Sequence, residues 1–315
     1  RKKKIKKMNQ ILTSSDILRA ITDGLKGRKE WPEPGNAAIL LKMQEDPKRF
    51  ITDVLDVKQL WSGQEEIIEK IRANSRVAIA SGHALGKDFI SARLMLWFLY
   101  SYIPSIVIAT SASYRQISKI VWGEVAESFH GAKYALRGRL TANQIIVDDR
   151  RKWYALGFAT KDVHGMPGKF QGFHQKNVMV LFSEAQAVEP GIWDEAESLM
   201  ASGNVKMIAI GNPIVNFGRF ADCWRSDSNW VTINLDCEKS PNYLSGEEII
   251  PGLCSREWVE MMAKKYGKDS PIYIARVKGL LPPSVEGVIT DRASLDWATT
   301  TGLVEIKAEG DKIAG

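Results

Sequence analysis

The residues best suited to chemistry are Ser81-Gly82-His83-Ala84-Leu85-Gly86-Lys87-Asp88, set between the apolar run Arg76-Val77-Ala78-Ile79-Ala80 and a helix-like stretch. A tight loop that leaves a strand and opens a helix turns backbone N–H groups and the positive end of a helix dipole toward one point, which makes an anion site. Gly82 and Gly86 permit close backbone approach, and Lys87 adds a compact positive charge for terminal phosphates. The segment departs from the pattern G-x-x-x-x-G-K-[ST] at two places. Ser81 stands at the first glycine, and Asp88 stands where a hydroxyl residue would bind Mg²⁺. The plain alternative is an ordinary strand-to-helix turn.

A second segment complements the first. The apolar run 177–182 leads into Ser183-Glu184-Ala185-Gln186. A strand ending in two acids would put one on Mg²⁺ and the other on an attacking water. Glu184 is present for the water, but Ser183 occupies the metal acid's place. The two departures are reciprocal: a carboxylate replaces a hydroxyl at 88, and a hydroxyl replaces a carboxylate at 183. An exchange of this kind keeps the oxygen donors around Mg²⁺ unchanged. The alternative is a degenerate site that hydrolyses poorly.

These residues need a scaffold. Four short, nearly continuous apolar runs, 77–80, 106–109, 178–182 and 205–210, read as strands buried on both faces, as in a parallel sheet. Helical patterns at 88–100, 114–129 and 191–200 lie between them, and 144–147 with 152–158 reads as a hairpin turning at 148–151. A further strand is expected at 230–235, then helices at 255–267 and 270–279. Strands alternating with helices imply an α/β fold with a mainly parallel central sheet. The expected division is a basic tail and small helical region at 1–55, including a loop at 31–35, then an ATPase domain at 56–290 and a linker at 291–315.

Bulk properties exclude little but redirect attention. The net charge is +6, yet six of the 43 Lys and Arg lie in residues 1–7, leaving as many basic as acidic residues, 37 each, in the rest. The excess is a tail, so a nucleic-acid surface must be a local patch. Three cysteines are too few for a disulfide framework and imply reduced thiols. The uncharged stretch 94–112 is long enough to span a bilayer, but Pro104 divides it into a helix-like and a β-branched half. It reads as a helix feeding a buried strand.

In order and spacing, the motifs resemble the ATPase half of a tailed-phage terminase large subunit, over roughly residues 55–290. Trp61-Ser62-Gly63-Gln64 resembles the adenine-recognising glutamine motif, and loop 81–88 the Walker A loop. Ala109-Thr110-Ser111-Ala112-Ser113-Tyr114-Arg115-Gln116 resembles the segment after the second strand. Gln171-Gly172-Phe173-His174 and the run into Glu184 resemble Walker B, and Ile210-Gly211-Asn212-Pro213 with Gly218-Arg219-Phe220 the coupling segment.

The resemblance implies a RecA-like P-loop fold of the additional-strand type, with ATP and Mg²⁺ as cofactors. ATP would be held by Gln64, Ser81, Gly82, His83, Ala84, Leu85, Gly86, Lys87 and Asp88. Asp88 and Ser183 would manage the metal, and Glu184 and Lys87 would act in catalysis. Arg115 is the first choice for an arginine finger, with Arg219 and Arg151 as alternatives. Gly211 and Asn212 would couple nucleotide state to movement. The segment 161–176, with His164, Lys169 and His174, would touch DNA or face solvent. Trp153, Trp193, Trp224 and Trp258 read as packing anchors.

The implied work is driving double-stranded DNA into a procapsid, in the cytoplasm of an infected bacterial host. The implied partners are a portal protein, a small terminase subunit and further copies in a ring, with no membrane. His83 departs from members that carry arginine there. No carboxylate cluster follows Asp291, so nuclease activity is not expected. The rivals are a helicase-like remodelling ATPase and a non-enzymatic nucleotide-binding assembly module.

Overall fold

The apolar runs are the central strands of one sheet. The structure, a computed structural model, describes residues 30–31, 37–160, 172–201 and 203–283. The basic run 1–7, most of the loop expected at 31–35, the candidates His164 and Lys169, and the linker expected at 291–315 lie outside those residues. Across its width the sheet runs β10 (Val231–Leu235), β2 (Arg76–Ser81), β9 (Asn204–Gly211), β8 (Asn177–Ser183), β3 (Ile106–Ser111), β7 (Trp153–Ala159), β6 (Gln144–Asp148) and β5 (Arg139–Leu140). Pairing is parallel from β10 through β7 and antiparallel for β7–β6 and β6–β5. A two-residue pairing of β1 (Glu30–Trp31) with β4 (Ala135–Leu136) stands beside it.

Burial on both faces explains the continuous apolar reading of the inner strands. Along β2, Val77 and Ile79 enter one hydrophobic core, and Ala78 and Ala80 enter the other. The first core is filled by helix α3 (Lys87–Ser101), whose residues 90–101 are all buried. Residues 37–54 join the same core. Helix α1 (Ala37–Glu45) and the coil Phe50–Val54 bring Met43, Phe50 and Ile51 into it, and Trp97 Nε1 donates to the Met43 carbonyl at 2.6 Å. The stretch 94–112 is therefore a buried helix followed by β3, divided at Pro104. Among the described residues no helix is long and apolar enough to cross a membrane.

Helix α2 (Ser62–Ala73) leads into β2, and α4 (Trp122–Gly131) continues from the wide coil Gln116–Val121. On the opposite face α5 (Pro190–Ser198) stacks Trp193 on Phe182 at 4.3 Å, and the single turn α6 (Arg219–Asp222) follows β9. The chain ends its described part in α7 (Pro241–Ser245), α8 (Arg256–Tyr266) and α9 (Pro271–Arg276). The hydroxyls of Ser240, Ser255 and Ser270 accept from Tyr243 N, Trp258 N and Tyr273 N, each at 3.2 Å. Each serine satisfies one orphan donor of its helix start. The helix expected to reach 279 stops at Arg276, because the backbone then doubles back to pair with other segments.

Candidate functional site

Strand order assembles the site. Loop 81–88 follows β2, Asn212 follows β9, and Ser183-Glu184 closes β8. Because β9 lies between β2 and β8 and all three are parallel, the three tips emerge side by side at one end of the sheet. The Lys87 ammonium sits among them, 3.1 Å from Glu184 Oε1, 3.5 Å from Asn212 Oδ1 and 3.9 Å from Asp88 Oδ2.

Glu184 is held on every side. Its φ of 51° is left-handed, a conformation that costs a non-glycine residue about 1–2 kcal/mol. This places one carboxylate oxygen on Lys87 while Gln186 Nε2 donates to the other at 2.8 Å. Gly211 makes room for that glutamine, since a Cβ at 211 would stand 2.0 Å from Gln186 Oε1. Asn212 is buried and donates from Nδ2 to the Ser81 carbonyl at 2.6 Å, tying the strand tip to the loop. Ser183 is buried directly before Glu184.

The loop is braced from both sides. Gly86, the cap of α3, has φ +74°, and a Cβ there would meet Gln64 Nε2 at 2.6 Å. Gln64 is buried; its Oε1 accepts from Trp61 N at 3.4 Å, and Trp61 Nε1 donates to Leu85 O at 3.4 Å. The glutamine and tryptophan thus pack against the loop itself. From the other side, Gly82 N donates to Leu235 O at 2.9 Å, His83 N to Arg276 O at 2.8 Å, and Cys254 N to Ala84 O at 2.8 Å. These downstream partners were missed in the sequence reading, because contacts between residues so far apart leave no local signature.

Electrostatics follow from this crowding. Burial raises the Asp88 carboxyl above its ordinary value of 3.8; Lys87 opposes the rise, and the Glu184 and Glu124 carboxylates add to it. Burial, then Lys87 and Arg276, hold His83 below 6.5, and its ring packs against Trp258 at 6.0 Å. A cleft of about 330 Å³ opens beside the loop, lined by Gln64, Gly86, Lys87, Asp88, Glu124 and Leu253 among others. Glu124, paired with Arg93, is a third carboxylate facing the site, and one that the motifs do not mark.

The arginine candidates separate. Arg115 is exposed beyond the tip of β3, at the same sheet end as the loop. Arg219 is engaged by Asp194 at 2.8 Å and Glu197 at 3.2 Å, a fixed structural pairing. Arg151 lies in the β6–β7 turn, before β7. Since β7 runs parallel to β3, that turn is at the far end of the sheet, and Arg151 cannot reach the loop of its own chain. Of the tryptophans, Trp153 and Trp193 are buried and Trp224 and Trp258 partly so, while His174 is exposed.

A mainly parallel sheet with a phosphate-loop strand and an acid-tipped strand flanking a third defines a nucleoside-triphosphatase-type α/β fold. Comparison with known proteins narrows this. The chain is 22% identical over 266 residues to a probable terminase large subunit of Enterobacteria phage P7, a match covering 78% of this chain and 51% of that protein. The large terminase of a thermophilic bacteriophage superposes with a TM-score of 0.55 at 12% identity, covering 72% of this chain and 55% of that one; its ADP complex gives 0.53. The large terminase ATPase domain of Thermus phage P74-26 gives a TM-score of 0.50 at 15% identity, covering 75% of this chain and 98% of that one. The chain thus has the fold of large terminase ATPase domains and spans about half the length of the two longer relatives. No protein-family model matches it.

Proposed function

We propose that this chain carries the ATP-hydrolysing motor of a viral terminase large subunit and drives double-stranded DNA into a procapsid. The observation that carries the reading is the position of Lys87, on a loop at a helix start and within 3.5 Å of both Glu184 and Asn212. That is one ammonium for phosphates, one carboxylate for water and one amide able to report on both. The likeness to an ADP-bound terminase supports ATP as the nucleotide.

Lys87 would leave Glu184 for the γ-phosphate, freeing that carboxylate to orient the attacking water. Gln64, buried behind the loop and lining the cleft, would meet the adenine edge. Two oxygen donors suit a hard divalent cation, the Asp88 carboxylate at the end of the loop and the Ser183 hydroxyl at the tip of β8, while among the described residues no group of three or more His, Cys, Asp or Glu side chains could hold one. Asp88 and Ser183 are the residues assigned to hold it. Once bound, Mg²⁺ supplies neutralisation of the phosphate charge that develops during transfer. Arg115, exposed at the same sheet end, is the finger candidate. The portal, the small subunit, further copies of the chain and the host cytoplasm follow from the terminase reading.

Steady-state phosphate release by the wild type, Lys87→Ala and Glu184→Gln, with and without Mg²⁺ and duplex DNA, tests this. The expected result is Mg²⁺-dependent turnover lost in both variants. Wild-type turnover that survives both substitutions would overturn the assignment. Tight nucleotide binding without turnover would favour the assembly-module reading.

A further inference from the structure

Beneath the phosphate loop lie two thiols that nucleotide hydrolysis does not use. Cys237, in the turn after β10, and Cys254, just before α8, are both buried in the same core. Cys254 Sγ lies 3.9 Å from the Cys237 carbonyl and 3.5 Å from Ser240 Oγ.

Both residues touch the loop. Cys237 Sγ donates to the His83 carbonyl at 3.4 Å, and Cys254 N donates to the Ala84 carbonyl at 2.8 Å. Packing is tight, since a Cβ on Gly82 would stand 2.6 Å from Cys237 Sγ. The remaining thiol, Cys223, belongs to the core on the other face of the sheet and bonds to Arg219 O at 3.5 Å.

We propose that Cys237 and Cys254 are an oxidation site, a dithiol whose conversion to a disulfide detunes the phosphate loop. The oxidant class is a hydroperoxide. The Cys254 thiolate attacks a peroxide oxygen, giving a sulfenic acid and releasing hydroxide. The Cys237 sulfur then displaces that oxygen as water with its own proton. Two thiols and one hydrogen peroxide become one disulfide and two waters, the two electrons passing to the peroxide.

Reactivity is divided to suit this. The neighbouring Cys237 thiol, and then Ser240, hold the Cys254 thiol below its ordinary value, against the opposing effect of burial. The interaction with Cys254, together with burial, pushes Cys237 upward. Burial pushes Cys223 up to about 12, leaving it inert.

The consequence for the loop is geometric. A disulfide needs sulfurs roughly 2.0 Å apart, closer than any non-bonded contact. Closing the bridge draws the two sulfurs together, and movement of Cys237 Sγ displaces the His83 carbonyl and Gly82 that rest against it. A displacement near 1 Å at a positioned site can cost about a hundredfold in rate. The effect on nucleotide rests on the proposed ATPase reading; the bridge itself does not.

The test treats the purified chain with hydrogen peroxide, then maps peptides by mass spectrometry and titrates a fluorescent ATP analogue. The expected result is a Cys237–Cys254 peptide, a loss of analogue affinity relative to the reduced protein, and recovery with dithiothreitol. Cys223→Ser should respond fully, whereas Cys254→Ser, compared with its own reduced form, should not respond. Absence of the crosslinked peptide, or a bridge that leaves affinity unchanged, overturns the proposal. A reduced protein that binds no nucleotide would sink the ATPase reading instead, while the peptide map still decides the pairing.

Discussion

Substituting Gly86→Ala tests whether Gln64 is packed on the phosphate loop, and the geometry gives the size of the effect. Alanine must adopt the glycine's φ of +74°, a left-handed conformation costing about 1–2 kcal/mol. Its Cβ also meets Gln64 Nε2 at 2.6 Å. A free glutamine would swing aside, but this one is buried between α2 and the loop, with Oε1 on Trp61 N. Overpacking of that kind costs about 1–3 kcal/mol. The sum is about 2–5 kcal/mol, or roughly 4–20 °C in Tm for a domain of this size.

Urea unfolding followed by tryptophan fluorescence reads the loss, since Trp61 touches the loop. The decisive measurement is the double-mutant cycle with Gln64→Ala. Removing the glutamine relieves the overpacking but not the backbone strain. The double variant should therefore be more stable than the sum of the singles by about 1–3 kcal/mol. Additivity within about 0.5 kcal/mol would refute the packing of Gln64 against Gly86.

Four further outcomes are expected. Asp88→Asn should stabilise the fold near neutral pH. A carboxyl raised above 3.8 binds its proton more tightly when folded, so stability falls as pH rises through the raised value. The advantage of Asn should vanish below 3.8 in a pH series of melts. Glu184→Gln should slow phosphate release by on the order of 10²–10⁴ while leaving nucleotide bound, as measured by equilibrium dialysis. Asp88→Ser and Ser183→Asp should each impair turnover, and the double exchange should recover it; a double variant no better than the worse single one ends the exchange idea. Lys206 caps the end of α2 by donating to Ile71 O, Arg72 O and Asn74 O, at 2.7, 3.1 and 3.0 Å. Lys206→Met should cost roughly 1–3 kcal/mol or more in denaturant melts, through carbonyls left without a donor.

The central strands were legible because a parallel strand buried on both faces is nearly continuously apolar, as 178–182 is and as 205–210 is apart from Lys206. The buried helix was legible for the same reason, and Pro104 separated it from β3. The placement of Lys87, Asp88 and Glu184 could be read because each sits at a strand end or helix start that local patterns reveal. Strand order was not legible. It is set by pairings such as β2 with β9, more than a hundred residues apart, and it is what puts the tip of β9, with Asn212, between the tips that carry Lys87 and Glu184. Arg151 shows the same limit: only the direction of β7 removes it from its own chain's loop. Glu124 was invisible because nothing in an amphipathic helix marks which carboxylate turns toward a cleft.

The carbonyls of Leu235 and Arg276 that hold the amides of Gly82 and His83 carry a consequence for biosynthesis. A chain emerging from the ribosome completes β2 and the loop early, and can pair β3, β8 and β9 while more than sixty residues are still to come. It cannot finish the loop until Arg276 has been made and α9 has folded back. On the proposed ATPase reading, nucleotide capture is therefore a late event in the life of the nascent chain and a certificate that α9 is in place.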